Sequence, residues 1–521
     1  MKDILSTDIT ARFSNELPAD SEKENFSRQV HEACFSYAET KKPRNPELVH
    51  FSSQLLHELG LGVENEEDFT KVMSGAEKFN GFKSYAMCYG GHQFGNWAGQ
   101  LGDGRAINLG EVELGGTHLM LQLKGAGPTP FSRTADGLAV LRSSLREYLC
   151  SEAMYYLGVP TTRALSLITT GEDVVRDMLY DGNAAPEKGA VVCRLSSSFV
   201  RFGHFQMLAA RQELALLKAF TDFVIQREFP ALDNLAADAK GTYIAWFEEV
   251  CHRTADLMVH WMRVGFVHGV MNTDNMSIIG ETIDYGPYGW LEGFDPNWTP
   301  NTTDAGQRRY RYGQQPAIGQ WNLMQLANAI LPLIEDSKPL EDALTAYVTR
   351  YEAGWQKTMT AKLGLRAYDK DLTDRLLTLL TVSETDMTLF FRALAGIAED
   401  TPQPFTTLAH CYYTPELLSD ADKAQIETWL ADYLKAAKAQ GQSDEDRAVL
   451  MNQTNPKYVL RNYLSQIAID SAEAGDYSKV DELLNALKNP YDEQPEYEHL
   501  AEKRPEWARN KAGCSMLSCS S

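Results

Sequence analysis

The chain has 521 residues, and 49 Lys and Arg against 71 Asp and Glu give it a formal charge of −22. So acidic a chain lacks the cationic field needed to bind phosphate backbones or anionic membranes, so we expect neither nucleic acid nor a membrane as a partner. With 44% hydrophobic and 10% aromatic residues the chain can bury a large core. Its length corresponds to about three domain equivalents, or to one large two-lobed unit with an appended domain.

Neither a membrane-spanning helix nor a leader is predicted. The most apolar stretch, from Leu326 to Ile334, contains Asn328 and Pro332 and is shorter than the about 18 apolar residues that span a bilayer. The first residues include acidic side chains and no apolar segment before a cleavage site, so we expect a cytoplasmic protein. The eight cysteines are sparse and show no metal-ligand spacing, which is typical of reduced thiols and does not favour a structural zinc site.

The first elements in chain order are predicted from their periodicity. In the polar N-terminal region a helix is predicted from Pro46 to Leu59, where Gly60 would end it. After a glycine-dense stretch, the alternation of apolar and polar residues from Thr117 to Lys124 predicts a strand. Apolar residues at i, i+4 steps predict a helix from Asp136 to Leu157, with the aspartate as its cap.

Later elements complete an α+β fold. Short strands are predicted from Arg163 to Ile168, Asp173 to Met178 and Ala190 to Leu195, and a helical pattern follows to about residue 265. A small hairpin is predicted from Met276 to Asp284, then a loop and helices to the end. A strand-rich lobe would thus precede a helical lobe, with a ligand in the cleft between them. The expected regions are an N-terminal extension (1–80), a strand-rich nucleotide-binding lobe (81–200), a helical lobe (201–400) and a helical C-terminal extension (401–521).

Two oxygen-bearing side chains are brought together by the predicted hairpin. Its strands would return Asn275 and Asp284 to one end, and an amide oxygen with a carboxylate suits Mg²⁺ bound to nucleotide phosphates. Kinases use this layout, but Val270 lies where their catalytic Asp belongs, and the nearest acid is Asp274. Taken singly, each of these residues is explained as well by a turn or a solvated strand end.

The strand-rich lobe supplies candidate phosphate-binding groups. Lys124 ends the predicted strand and Glu147 lies on the following helix, so that an ion pair would hold the ammonium at the phosphates. The alternative is a surface pair of little energetic value. Gly102 and Gly104, followed by Arg105, could let backbone N–H groups approach phosphate, although glycines more often form turns.

Four further positions have both a functional and a structural interpretation. Asp136 with Gly137 could contact a nucleotide, or the aspartate could simply cap its helix. Arg194 and Arg201 flank three serines, and their guanidinium groups could bind phosphate oxygens in a fork, or they could be surface charge.

Six motifs in this sequence resemble those of the selenoprotein O family. They are YGGHQFG (89–95), QLGDGR (100–105), LKGAGPTPFSR (123–133), DGLAVLRSS (136–144), GVMNTDNM (269–276) and IDYGP (283–287). The resemblance runs from about residue 80 to 325 and resumes at Asn455–Tyr458 and in the C-terminal tail. Motifs of this length and number are highly specific.

The resemblance implies a protein-kinase-like fold of two lobes, a mixed β-rich N-lobe and a helical C-lobe, with a helical C-terminal extension. It also implies a protein adenylyltransferase, which binds ATP with the α-phosphate toward the acceptor. Such an enzyme transfers AMP to Ser, Thr or Tyr hydroxyls of target proteins and releases pyrophosphate. Mg²⁺ is the implied metal, and Mn²⁺ and UMP transfer stay open. The alternative functions are a kinase-like phosphotransferase and a catalytically inactive, nucleotide-binding pseudokinase scaffold.

Residue by residue, the resemblance assigns a role to each candidate. It implies that Asp274 is the general base, which would explain Val270, and that Asn275 and Asp284 bind the metal. The implied nucleotide-binding residues are Gly102, Gly104, Arg105, Lys124, Glu147, Asp136, Gly137, Arg194, Arg201 and Asp284.

The C-terminal tail carries an expected redox pair. Cys519, third from the end, matches the place where eukaryotic members carry selenocysteine. In relatives the corresponding cysteine can pair with one in the loop after the DYG motif, but residues 285–320 contain no cysteine here, and Pro300 stands about where that partner would be. Cys514 is the nearest alternative partner for Cys519, and two idle tail thiols are the other possibility.

Overall fold

The computed structural model describes residues 1–232, 238–514 and 516–518. Within these ranges the protein is a mixed α/β structure, with most strands before residue 200 and most helices after it. The strands are β1 (Lys2–Asp3), β2 (Phe35–Tyr37), β3 (Glu47–Phe51), β4 (Leu61–Gly62), β5 (Tyr85–Met87), β6 (Gly90–Gln93), β7 (Asn96–Gln100), β8 (Ala106–Leu114), β9 (Thr117–Lys124), β10 (Ala139–Val140), β11 (Arg163–Arg176), β12 (Ala185–Ser196), β13 (Phe266–Val267) and β14 (Gly289–Trp290). The helices are α1 (Arg12–Glu16), α2 (Ser53–Glu58), α3 (Glu66–Met73), α4 (Leu141–Tyr156), α5 (Phe202–Ala210), α6 (Leu214–Glu228), α7 (Ala239–Val264), α8 (Gln315–Ile334), α9 (Lys338–Lys362), α10 (Lys370–Leu379), α11 (Met387–Leu394), α12 (Pro404–Leu408), α13 (Asp420–Ala439), α14 (Asp444–Thr454), α15 (Asn462–Glu473) and α16 (Ser478–Leu487).

The main sheet of the described residues has the strand order β2-β5-β8-β9-β12-β11-β3, with β10 beside β12. Its neighbouring strands are antiparallel. β9 has the predicted bounds, and its alternation separates two faces: Leu121 and Leu123 are buried in a core, whereas Gln122 and Lys124 lie on the opposite face. The face with Gln122 and Lys124 carries the functional side chains described below.

Helix α4 packs on the main sheet through the row of apolar residues that its sequence predicted. Leu141, Leu145, Leu149 and Ala153 are fully buried in the same core as residues of β11 and β12. Each buried leucine contributes about 1.5–3 kcal/mol relative to an exposed one, so this row fixes the rotation of the helix about its axis. Glu147 is thereby held inside the protein.

Three sequence predictions in this region are wrong in part, because strand pairing overrides the local pattern. α4 begins at Leu141 rather than Asp136, since β10 pairs with β12 and the Asp136 carboxylate binds Arg176 instead of capping a helix. The segment from Pro46 to Leu59 was predicted to be one helix, but its first part is β3, which pairs with β11, and only α2 is helical. The short strands predicted between residues 163 and 195 belong to two long strands, β11 and β12.

The segment from Met276 to Asp284 is not the predicted hairpin. It turns tightly, with the Gly280 N–H donating to the Ser277 carbonyl at 3.3 Å, but its two arms pair with other segments. One arm bridges Arg201 and the other bridges Thr161. The turn still returns the chain, and Asn275, just before the segment, and Asp284, at its end, line one cavity.

The helices after residue 200 enclose two cores. The first is shared with the main sheet and contains Trp246 and Trp261 of α7, and the second contains Phe391 of α11 and Trp429 of α13. Across the described ranges no helix has the length and apolar character that crossing a membrane requires.

Candidate active site

A cavity of about 730 Å³ opens between the main sheet and the segments 270–275 and 284–287. This volume lies within the range of small-molecule and cofactor sites. All but one of the catalytic, nucleotide-binding and metal-binding residues proposed from the sequence line this cavity. The exception is Glu147, which lies behind Lys124. The lining members are Gly102, Gly104, Arg105, Lys124, Asp136, Gly137, Arg194, Arg201, Asp274, Asn275 and Asp284.

Three buried cations and two carboxylates meet at the floor of this cavity. Lys124 Nζ donates to Glu147 Oε2, so the predicted ion pair is present and buried rather than on the surface. Arg194 Nη1 donates to Glu147 Oε1 at 2.8 Å and to Asp284 Oδ1 at 2.7 Å, and Arg201 donates to Asp284 Oδ2. Burying charges is costly unless each one has a partner, and this network supplies one to every member.

Asp284 is the carboxylate on which this cluster converges. Burial alone would raise its pKa, but the charges of Arg201, Arg194 and Lys124 outweigh burial and hold the pKa of Asp284 well below its ordinary value. Its backbone is left-handed, with φ of 57°, a conformation that Asp tolerates better than most residues and that is common at functional sites. Asp284 is therefore ionised across the physiological range.

The cluster is supported by two polar residues, Gln122 and Asp103, that are not among the predicted site residues. Gln122 Oε1 accepts from Arg194 Nε at 3.0 Å, and Gln122 Nε2 donates to Asp103 at 3.2 Å. Asp103 also accepts from the Tyr89 hydroxyl at 3.2 Å and lies 3.8 Å from Arg201. Asp103 lies in the QLGDGR motif and Gln122 lies on the alternating strand β9. These positions are the features of the sequence that could have indicated a role for both residues.

Asp274 lies at the cavity wall in an environment that favours its neutral form. Burial raises the pKa of its carboxyl to about 6. Gln93 Nε2 donates to Oδ2 at 3.2 Å, and Oδ1 has no hydrogen-bond partner among the described residues. A Cβ at Gly91 would lie 2.5 Å from Oδ1, so only glycine fits there.

The β6–β7 hairpin, which includes most of the YGGHQFG motif, binds the segment that carries Asp274. The His92 N–H donates to Thr273 Oγ1 at 2.7 Å, and the Phe94 N–H donates to Asn272 Oδ1 at 3.2 Å. The Tyr310 hydroxyl donates to the same Asn272 oxygen at 2.6 Å. These contacts join parts of the chain about 180 residues apart, which no local pattern reveals.

Two of the glycines proposed to contact a nucleotide, Gly102 and Gly137, are required by close packing. A Cβ at Gly102, whose φ is 71°, would lie 2.4 Å from the Phe131 ring. At Gly137, also with φ of 71°, it would lie 2.2 Å from the Gly127 carbonyl oxygen. These positions let the backbone line the cavity without side chains, beside Asp136, which is held by Arg176 at 2.8 Å.

The oxygen donors at the cavity fit a divalent cation. Asn275 Nδ2 donates to the Val270 carbonyl at 2.9 Å, which orients the amide, and Asn275 and Asp284 both line the cavity. An amide oxygen and a carboxylate are ligands that Mg²⁺ accepts. Within the described ranges no group of three His, Cys, Asp or Glu side chains is close enough to hold a metal alone. A cation at this position would therefore need ligands besides these side chains.

The tail packs against the loop that follows the DYG segment. The Leu517 N–H donates to the Pro300 carbonyl at 3.0 Å, and the Leu517 carbonyl accepts from the Thr302 N–H at 2.8 Å. Cys514 is buried, and burial raises the pKa of its thiol to about 11. Cys519 lies outside the described residues, so its pairing with Cys514 stays a prediction.

Comparisons with known proteins identify relatives over nearly the whole chain. The family described as "Protein adenylyltransferase SelO" matches residues 20–488. Proteins named "Protein nucleotidyltransferase YdiU" are 53% identical in Flavobacterium johnsoniae (98% of this chain, 99% of the relative) and 53% identical in Rhodopirellula baltica (98% of both chains). One from an Azoarcus species is 54% identical, again over 98% of both chains.

Replacing Asp284 tests the charge cluster without any ligand. We expect Asp284→Asn to lower the free energy of unfolding by about 3 kcal/mol, because Arg194 and Arg201 would keep their buried charges and lose the countercharge. Urea unfolding followed by circular dichroism measures the change. The matched control is Asp400→Asn, an exposed residue, which we expect to change stability by less than about 0.5 kcal/mol. Equal midpoints for the two variants would contradict the role of Asp284.

Proposed function

Because this chain belongs to the SelO family of protein adenylyltransferases, we propose that its cavity binds Mg²⁺-ATP and transfers AMP to a hydroxyl of a target protein. The observation that carries this proposal is the buried cluster of Lys124, Arg194, Arg201, Glu147 and Asp284 on the floor of a cavity large enough for a nucleotide. Cationic groups fixed in a site of low dielectric are what a triphosphate needs for tight, oriented binding.

We also propose a kinase-like arrangement of two lobes. Residues 81–200 would form the nucleotide-binding lobe and residues 201–400 the helical lobe, with 1–80 and 401–521 as extensions. Support comes from the position of the main sheet before residue 200 and from the strand lysine paired with a helix glutamate, an arrangement that kinases use to hold phosphates. A cytoplasmic location and action on proteins rather than nucleic acid fit the sparse cysteines and the charge of −22.

In the proposed complex the cations would exchange partners. In the described structure both oxygens of Asp284 accept hydrogen bonds from arginines, and Lys124 Nζ lies 3.8 Å from Oδ1. Triphosphate oxygens would take over part of this pairing, while Glu147 keeps Lys124 and Arg194 in place. Backbone N–H groups near Gly102 and Gly104 and the side chain of Arg105 would add contacts to the nucleotide.

Asn275 and Asp284 would hold the metal ion together with phosphate oxygens. When bound, Mg²⁺ or Mn²⁺ neutralises charge on the phosphates and orients them. The residues do the rest of the positioning: the Val270 carbonyl fixes the Asn275 amide, and the arginines fix the Asp284 carboxylate.

We assign the proton transfer to Asp274. Its carboxylate would accept the proton of the target Ser, Thr or Tyr hydroxyl as that oxygen attacks the α-phosphorus. The bond between the α-phosphorus and the bridging oxygen then breaks, AMP stays on the target, and pyrophosphate leaves. Gln93 holds Oδ2 of Asp274 and thereby orients the carboxylate.

The position of the label in ATP distinguishes the proposed transfer from a kinase reaction. We expect label from the α-phosphate, and none from the γ-phosphate, to appear on protein when the enzyme is incubated with a cell lysate. Autoradiography of the separated proteins measures it. Label from the γ-phosphate alone would favour a kinase, and no label from either would favour a nucleotide-binding scaffold.

Replacing Asp274 tests the general base. We expect Asp274→Asn to slow AMP transfer by about 10²–10⁴-fold, because removing a positioned base typically costs this much. ATP affinity should change little, since Asp274 faces the acceptor rather than the phosphates in this assignment. Transfer rates with α-labelled ATP and calorimetric ATP titrations separate the two effects. Asp400→Asn serves as the matched control, and a wild-type rate for Asp274→Asn would remove Asp274 from this role.

Metal titration tests the proposed ligand pair. We expect chelation to abolish transfer, added Mg²⁺ to restore it, and Asn275→Ala to raise the Mg²⁺ concentration at half-maximal rate by at least about 10-fold. The control Asn183→Ala alters an exposed amide outside the cavity. An unchanged Mg²⁺ requirement in Asn275→Ala would show that this amide is not a ligand.

A further inference from the structure

A second cavity, of about 320 Å³, lies in the helical part of the protein and shares no lining residue with the active-site cavity. One wall is the segment 290–298, which follows the DYG segment, and the facing wall is 381–384. Asn462 and Arg504, from the C-terminal region, complete it. The roles assigned above leave this cavity without a function.

The walls of this second cavity are fixed by backbone and amide hydrogen bonds. The Phe294 N–H donates to the Thr385 carbonyl at 2.8 Å, and the Met387 N–H donates to the Glu292 carbonyl at 3.1 Å. Asn462 accepts from the backbone N–H of Trp290 and donates to its carbonyl, both at 2.9 Å. The cavity is therefore a preformed feature and not a gap between loosely packed loops.

The carboxylates around the second cavity differ in how many hydrogen-bond donors they have. Glu384 accepts from Arg504 at 2.7 Å and from Arg509 at 2.8 Å, so both of its oxygens are paired. Glu292 is only 6% exposed; its Oε2 accepts from the shared Arg504 at 3.3 Å, and its Oε1 has no hydrogen-bond partner among the described residues. A buried carboxylate oxygen without a donor costs free energy, which a ligand carrying N–H groups would recover.

The other lining groups indicate the charge and shape of such a ligand. The exposed Asp295 also lines the cavity, so the lining has three carboxyl groups, those of Glu292, Asp295 and Glu384, and one guanidinium group, that of Arg504. Arg509, outside the lining, binds Glu384. The excess is negative and disfavours an anion. The remaining surface includes the rings of Trp290, Phe294 and Trp298, and aromatic faces attract cations.

We propose that this second cavity binds a small organic cation, an amine or guanidinium whose N–H groups donate to the Glu292 carboxylate while its carbon atoms pack on Trp298 and Phe294. The cation is either a free small molecule or a Lys or Arg side chain of a polypeptide, since both present the same chemistry. This inference does not depend on adenylyl transfer, because it uses none of the residues of the active-site cavity.

Calorimetric titration of the full chain without ATP tests the proposal, with n-butylguanidinium chloride as the probe. We expect saturable binding of one probe per chain and no binding of n-butylurea, its neutral analogue. Glu292→Gln should weaken binding about 10-fold or more, because a charge-assisted hydrogen bond is lost. Trp298→Leu should weaken it about 3-fold, because an aromatic face is lost. The matched control Glu416→Gln changes an exposed carboxylate and should leave the affinity unchanged.

A blocked five-residue peptide with one central arginine separates the two sources. Affinity equal to that of n-butylguanidinium assigns the site to a polypeptide side chain, and binding of the free cation alone assigns it to a small molecule. Thermal unfolding verifies that each variant is folded. If Glu292→Gln does not fold, the affinity of Trp298→Leu tests the proposal. No saturable binding of either probe, equal binding of n-butylurea, or unchanged affinity in the folded variants would overturn the proposal.

Discussion

The active-site cavity depends on one carboxylate, Asp284, that neutralises cations from separate parts of the chain. Arg194 comes from β12, Arg201 precedes α5, and Lys124 ends β9. Each cation is buried, and none could remain charged there without an acidic partner. The sheet, the start of the helical region and the DYG segment are thereby held in one arrangement by charge rather than by apolar packing alone.

Such a cluster is preorganised for a highly charged ligand. Because its cations are already desolvated and oriented, a triphosphate entering the cavity would meet fixed charges and would not have to order flexible side chains. Glu147 is important in this respect, since it binds both Lys124 and Arg194 from behind and lies outside the cavity lining. Asp274 differs from Asp284 in that no cationic side chain of the described residues is hydrogen-bonded to its carboxylate oxygens.

Local sequence patterns predicted those parts of the site in which periodicity and burial agree. β9 has its predicted bounds because its alternation matches a sheet with one face in a core, and the pair of Lys124 with Glu147 follows from that strand and the next helix. The segment after Asn275 has the sequence pattern of a hairpin because its turn is real, but its arms pair with segments that are distant in sequence.

Residues whose importance lies in long-range hydrogen bonds could not be found in this way. Gln93 binds Asp274 across about 180 residues, and Asp103 gains its role only when Arg201 and Tyr89 surround it. The start of α4 differs from the predicted start for the same reason. Asp136 has the residue type of a helix cap, but its carboxylate binds Arg176. Motif resemblance marked the right segments, and the three-dimensional arrangement specified the partners.

The backbone of Asp284 restricts what this position can accept over evolutionary time. A left-handed φ of 57° is easiest for glycine, asparagine and aspartate, whereas two buried arginines demand a negative charge. Glutamate meets only the second demand, and asparagine and glycine meet only the first. Aspartate alone among the twenty amino acids satisfies both, so even a conservative exchange here would have to be accompanied by a change elsewhere in the network.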